Sequence, residues 1–183
     1  VREIDALGGV MGLAADLAGI HFRVLNRSRG PAVQAPRVQQ DHDAYPAAVE
    51  RLLESQPGVE IVEGEASGLV IDRRGVRAVE LADGRRILAS AVVLTTGTFL
   101  GGKMFRGADE VAGGRVGEPA ATALSHSLRD LGIRLDRFKT GTPPRIVKNS
   151  LDLDRFEEQP GDGAPEPLSF EHLGERPFRP PLD

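Results

Sequence analysis

The stretch 85-RRILASAVVLTTGTFLGGK-103 constrains this chain more than any other. Within it the unbroken apolar run Ala91-Val92-Val93-Leu94 passes directly into Thr95-Thr96-Gly97-Thr98 and then reaches Gly101-Gly102. A continuous apolar run reads as a strand buried on both faces, the kind found inside a parallel sheet. Such strands open at their carboxyl ends onto the crevice where α/β folds hold ligands. Glycine there lets a ligand approach backbone N–H groups, and threonine adds a short hydroxyl. The same residues also suit a plain tight turn after a core strand. Spacing alone leaves both readings open.

The flanking sequence supplies the other layers. Ile4, Leu7, Val10, Met11, Ala14 and Leu17 fall on one helical stripe over residues 3–18. Gly8, Gly9 and Gly12 weaken that helix by about 1 kcal/mol each relative to Ala, so a turn at Gly8-Gly9 is the alternative. Residues 20–25 read as extended, and 26-NRSRGPAVQAPRVQQD-41 as a loop. Tyr45, Val49, Leu52 and Leu53 mark a second amphipathic helix, with Pro46 in its first turn and Pro57-Gly58 as its stop.

From residue 59 the period becomes two. Val59 and Ile61, Leu69 and Ile71, Val79 and Leu81, and Ile87 and Ala89 alternate in short segments. Asp72-Arg73-Arg74-Gly75 and Asp83-Gly84 separate them with turn chemistry, which predicts a small antiparallel meander. Further on, 113-GGRVGEPAATALSHSLRDLGIRL-135 reads as a loop leading into a helix, with Pro119 in the first turn and Gly132 at the end. Ile133, Leu135 and Phe138 alternate as a strand that enters 139-KTGTPPR-145. Beyond residue 148 the chain is acidic and proline-rich, with one short strand expected over 168–170. These elements predict an α/β nucleotide-binding layer sheet with a β-meander inserted before its last strand.

Composition narrows the functional classes. A net charge of −4 carries no global basic signature, although a local basic face remains compatible with it. Cysteine is absent, which removes disulfides and thiolate metal sites. His21, His42, His126 and His172 have no metal-like spacing. No apolar run is long enough for a membrane span and no signal segment is visible, so a cytoplasmic protein is expected. Val1 is not an initiator methionine, and both ends look cut, as expected of a piece of a longer protein.

The chemistry-bearing candidates are few. Arg27, Arg29 and Arg37 in the 26–41 loop match phosphate recognition by guanidinium forks, or are simply solvated. Lys139 and Arg145 flank a threonine–glycine–proline segment, and a charged hairpin or an interdomain ion pair accounts for them equally. GxGxxG is absent, because 112-AGGRVGEP-119 does not follow a strand in the required way. No Ser/His/Asp elbow and no HExxH occurs.

Taken together, 3-EIDALGG-9, 22-FRVLN-26, 30-GPAV-33, 92-VVLTTGTFLGGK-103, 113-GGRVGEP-119 and 137-RFKTGTPPRI-146 closely resemble the MnmG family, also called GidA. The match follows the family's order over nearly the whole chain and loosens after about residue 150. The resemblance implies a glutathione-reductase-like FAD/NAD(P)-binding three-layer fold with an inserted β-meander and the start of a second, β-rich domain. Residues 1–132 then form an incomplete FAD-binding domain, and 133–183 begin an inserted NADH-binding domain. The implied activity of the full-length parent is addition of a (carboxymethyl)aminomethyl group to C5 of uridine 34 in tRNA. FAD, NADH and methylene-tetrahydrofolate serve that reaction. A GTPase partner of the MnmE type and a homodimer are implied as well.

Residue by residue, the resemblance places Ala66 where the backbone meets the FAD adenine and sets Thr95, Thr96, Gly97 and Thr98 past the cofactor. Ala121 stands where the family has a cofactor-contacting serine, so that hydroxyl contact is lost. Arg29, Arg37 and Gln39 match a polar loop near the active centre, and Lys139 and Arg145 belong to the KTGTPPR string. Gln34 replaces a usual arginine, and 42-HDAYP-46 departs from the usual helix start. No catalytic residue and no metal ligand is assigned. The piece alone is expected to be inactive; a non-catalytic module and another flavin oxidoreductase of the same superfamily are the alternatives.

Overall fold

The computed structural model describes residues 1–144 and 146–174. Arg145, one of the candidate site residues, lies outside the described residues. Two compact units divide the chain: Val1–Ile61 with the described part of Arg145–Asp183, and Val62–Pro144.

In the first unit the helical stripe is interrupted as its glycines allow. Helix α1 (Arg2–Asp5) ends in a turn where Gly8 has φ +84°, and α2 (Met11–Ala18) comes next. The Gly9 N–H donates to Ile4 O at 2.9 Å, and a Cβ on Gly9 would stand 2.4 Å from Ile4 Cγ2. Of the two readings of residues 3–18, the turn at Gly8-Gly9 is the one realised. Strand β1 (Gly19–Leu25) pairs antiparallel with β2 (Ala35–Gln40), and α3 (Ala44–Glu54) comes after them. Pro46 occupies the first turn of α3, where its missing N–H breaks no helical bond. Ahead of the N-cap Asp43, Asp41 holds the start of the helix: its Oδ1 accepts from the N–H groups of Ala44 (2.8 Å) and Asp43 (3.0 Å). These two bonds hold its carboxyl below the ordinary range. Ala14, Ala15 and Ala18 of α2 and Ala48 of α3 are buried, small enough for the two packed helices to approach closely.

The expectation that all of 26–41 is loop fails for its second half. Asn26 takes φ +59° and its Nδ2 donates to Val33 O at 2.9 Å, which folds the chain back and lets residues 35–40 pair with β1. Only Pro36, Val38 and Gln40 mark the inner face of β2, too weak an alternation to read as a strand.

A distant segment completes this unit. Asp16 is 1% exposed, and its carboxylate accepts from the N–H groups of Leu168 (2.7 Å) and Ser169 (2.9 Å). The Nδ1 of His172 lies 3.0 Å from Asp16 Oδ2. Asp5 Oδ2 accepts from Phe170 N–H at 2.7 Å, and Arg2 Nη2 donates to Pro167 O at 2.9 Å. The strand expected at 168–170 is therefore absent. These N–H groups point to side-chain carboxylates rather than to a ladder, and a 3₁₀ turn, Phe170–His172, begins within it.

The second unit contains β3 (Ala66–Asp72), β4 (Gly75–Leu81) and β5 (Arg86–Leu88) in an antiparallel sheet of that order. Its turns fall where Asp72 and Gly75 and where Asp83 and Gly84 stand; Val59 and Ile61 lie outside it. Helix α4 (Thr122–Asp130) packs on β3 and buries Leu124 and Leu128, and Ala78 and Leu81 of β4 are buried as well. Ser127 Oγ accepts from Leu69 N–H at 3.4 Å. A hairpin of β6 (Lys103–Arg106) and β7 (Asp109–Ala112) lies between the meander and α4 in sequence.

Three expectations for this unit are corrected. Residues 91–94 form no strand, and Val93 is 85% exposed. A doubly buried strand needs a ladder on each side, and among the described residues no strand pairs with this run. Residues 133–138 are likewise irregular, with Phe138 95% exposed, for the same lack of a partner. Pro119 precedes α4 rather than occupying its first turn, because Glu118 and Ala121 on either side of it are bridged to Arg115 and Leu100. Among the described residues no helix is long and apolar enough to cross a membrane.

Replacing Asp16 by Ala strands the two buried N–H groups of Leu168 and Ser169. It is expected to cost about 3–5 kcal/mol in urea unfolding. Asp16→Asn, which keeps an acceptor oxygen, should lose less. Equal stability of Asp16→Ala and the parent would refute this account of the return segment.

Candidate functional site

In the second unit, the loop after residues 91–94 is built from backbone bonds that glycine makes possible. Phe99 N–H donates to Thr96 O (3.3 Å), and Gly102 N–H donates to Phe99 O (3.1 Å). Gly113 N–H donates to Gly102 O at 3.0 Å, tying the loop to the end of the hairpin. Ala121 N–H donates to Phe99 O (2.9 Å) and Gly101 N–H to Ala121 O (3.0 Å), tying it to the start of α4. Thr98 Oγ1 donates to Gly114 O at 3.0 Å. Gly102 has no room for a side chain: a Cβ there would lie 2.5 Å from Thr98 O and 2.9 Å from Gly113 O.

Of the sequence-predicted residues, Thr95, Thr96, Gly97 and Thr98 sit together on the outer side of this loop. Thr95, Gly97 and Thr98 are exposed and Thr96 is half-buried. Among the described residues no protein acceptor takes the backbone N–H of any of the four, and nothing lies within 4 Å of where a Gly97 Cβ would stand. Four consecutive uncommitted donors and exposed hydroxyls form a donor set suited to the polar atoms of a cofactor. The apolar Val93 and Leu94, both exposed, precede it. Ala121 contributes differently, since its N–H is taken by Phe99 O and it has no hydroxyl; it locks the loop instead. Ala66 opens β3, half-buried and paired with Leu81. Lys139 is exposed in an irregular segment, and Arg137, two residues earlier, donates to Gly101 O at 3.2 Å. The β6–β7 hairpin escaped the sequence reading because its strands are four residues each and mostly exposed.

In the first unit, Arg37 and Gln39 stand exposed on β2, and Arg29 stands exposed in the β1–β2 loop. Gln34 Nε2 donates to Arg29 O (3.0 Å) and, at 3.4 Å, to Arg27 O, pinning that loop. The register sets Arg23 directly opposite Arg37 and His21 opposite Gln39. Sequence reasoning missed Arg23, since pairing partners depend on a loop geometry that spacing does not reveal. Arg23 Nη1 donates to Gln159 Oε1 (3.0 Å), and His21 Nε2 lies 3.1 Å from Gln159 O.

Arg27, by contrast, is bound to Asp162 at 2.6 Å, and Asp162 Oδ2 also accepts from Val24 N–H at 2.9 Å. Burial pushes the Asp162 carboxyl up. The Val24 N–H and the Arg27 and Arg23 guanidinium groups outweigh that and leave it below its ordinary value. Among the described residues no group of His, Asp and Glu is arranged to hold a metal ion.

The comparisons with known proteins agree with one another. The family described as glucose inhibited division protein A matches residues 1–176. The tRNA uridine 5-carboxymethylaminomethyl modification enzyme MnmG of Myxococcus xanthus is 52% identical over 93% of this chain and 28% of its own length. The enzyme of the same name from Chlamydia felis is 46% identical over 100% of this chain and 29% of its own. A solved structure of Aquifex aeolicus GidA superposes with a TM-score of 0.84 at 42% identity, covering 92% of this chain and 28% of that one. The chain thus spans less than a third of the length of the relatives it matches. Its fold is that of the matched part of GidA.

Three variants test the local accounts. Gly102→Ala should lower stability by about 1–3 kcal/mol in thermal unfolding, since both oxygens it meets are backbone. Gly97→Ala should cost only about 1 kcal/mol, for its left-handed φ of +56°. For Asp162 the folded value lies below the unfolded one, so its contribution is complete above about pH 4 and fades as pH falls further. Asp162→Asn should therefore show a smaller loss of urea stability between pH 5 and pH 3 than the parent. An identical loss in both would contradict the role given to this carboxylate.

Proposed function

Because this chain belongs to the glucose inhibited division protein A family, we propose that it is the cofactor-contacting part of an enzyme that adds a carboxymethylaminomethyl group to C5 of uridine 34 in tRNA. The observation that carries this reading is the 52% identity, over 93% of the chain, to an enzyme named for that modification.

FAD is the cofactor this reading requires, and the donor set of residues 95–98 fits it. When bound, FAD supplies two-electron transfer. Thr95, Thr96, Gly97 and Thr98 offer it backbone N–H groups, and the Thr95 and Thr96 hydroxyls add to these. The hydroxyl of Thr98, which donates to Gly114 O, holds the loop in place. Ala66 offers only backbone, and Ala121 positions the loop without touching the cofactor through a hydroxyl. In this reading residues 1–132 belong to an FAD-binding domain of three-layer form with the meander inserted, and 133–183 open an NADH-binding domain. Lys139 and Arg145 lie at that boundary.

NADH and methylene-tetrahydrofolate are the co-substrates, a GTPase of the MnmE type is the partner, and the enzyme is a cytoplasmic homodimer. The full-length protein, expressed in a bacterial strain lacking the modification, should restore 5-carboxymethylaminomethyluridine in digested tRNA measured by mass spectrometry. Stable expression without any of that nucleoside would overturn the proposal.

A further inference from the structure

We infer that the face of the β1–β2 ribbon opposite Phe22 is a phosphate-binding surface centred on Arg23 and Arg37. Side chains alternate across a strand, so Phe22, which is buried, turns one face of the ribbon to the core. His21, Arg23, Arg37 and Gln39 share the other face, as two directly opposed pairs. Like charges set opposite each other in an antiparallel pair repel. Among the described residues, no carboxylate is in ion-pair contact with either arginine; the acceptor on Arg23 is the neutral Gln159 side chain.

The adjacent Arg27 shows the contrast, since Asp162 neutralises it. Asp162 also feels Arg23, but its Oδ2 is committed to Arg27 and to Val24 N–H. An anion between the two guanidinium groups converts their repulsion into a pair of charge-assisted contacts, and the planar fork suits the oxygens of a phosphate. The loop that joins the strands is held by Asn26 and Gln34 rather than left loose, and it presents Arg29 beside the ribbon in sequence.

The shared chemistry is a phosphate group, which a polynucleotide backbone or a dinucleotide pyrophosphate supplies. The RNA assignment rests on the proposed tRNA-modifying activity; the phosphate site itself does not.

The experiment compares the full chain with Arg23→Gln/Arg37→Gln and with Arg23→Lys/Arg37→Lys. Binding of a labelled RNA stem-loop is followed by fluorescence anisotropy across a salt series, and binding of inorganic pyrophosphate by calorimetry. The Gln pair should weaken RNA binding about tenfold or more at low salt. It should also reduce the slope of log K against log salt by roughly 1.4–1.8, at about 0.7–0.9 per phosphate contact. The Lys pair should keep most of that slope, and Arg37→Gln alone, at an exposed position, supplies the comparison if the Gln pair melts early. Pyrophosphate binding that the Gln pair abolishes, without any RNA binding by the parent, would uphold the phosphate site and sink the tRNA reading. Unchanged affinity and slope in the Gln variants, or a parent that binds neither probe at low salt, would overturn the proposal.

Discussion

A carboxylate removed from water must find its hydrogen bonds inside the protein, and Asp16 finds them on residues 168–172. That requirement shapes the first unit. Without the return segment, α2 would lose the donors that hold the Asp16 carboxylate. Asp5 and Arg2 add two further attachments to the same segment, so the amino-terminal helices act as a dock for a stretch far along the chain. Asp16 stands between Ala15 and Leu17 in α2, off the apolar stripe that the sequence marks, so spacing did not announce that a distant segment had to return.

The second unit is organised by absence of side chains instead. Gly102 brings the 98–102 loop against the end of the β6–β7 hairpin, and Ala121 fastens the same loop to α4. The threonine–glycine string is thus both a scaffold and a surface. Its bonds to Gly113, Gly114 and Ala121 hold the loop together, while among the described residues the N–H groups of 95–98 have no protein acceptor. Of the two readings that the sequence left open at Thr95–Thr98, the turn is realised, and ligand contact stands as the proposal built on it.

What could be read from the residues depended on how local each element is. The meander was legible because Asp72, Gly75, Asp83 and Gly84 write their turns into adjacent positions. Helices α3 and α4 were legible from their stripes and stops. The failures at 91–94, 133–138 and 168–170 share a cause: apolar alternation records that side chains could be buried, not that a partner strand is there to bury them. Strand β2 failed the other way, since Arg37 and Gln39 occupy its outer face and little apolar signal remains. Of the candidate site, the residue types were visible and their company was not. Ala121 lies against the glycine loop, and Arg23 faces Arg37, through contacts that no spacing rule encodes.

The discontinuity of the first unit also sets an order of events during synthesis. The meander joins neighbours in sequence, and α4 covers it soon afterwards, so the second unit can close while the ribosome is still adding later residues. The first unit cannot. Its buried carboxylate waits for Leu168 and Ser169, more than 150 positions downstream, and contacts of such separation form slowly. Until then α2 and α3 are a nascent helix pair with an open flank, on which water and not the chain solvates Asp16. That interval is when this chain is most exposed to chaperones and proteases.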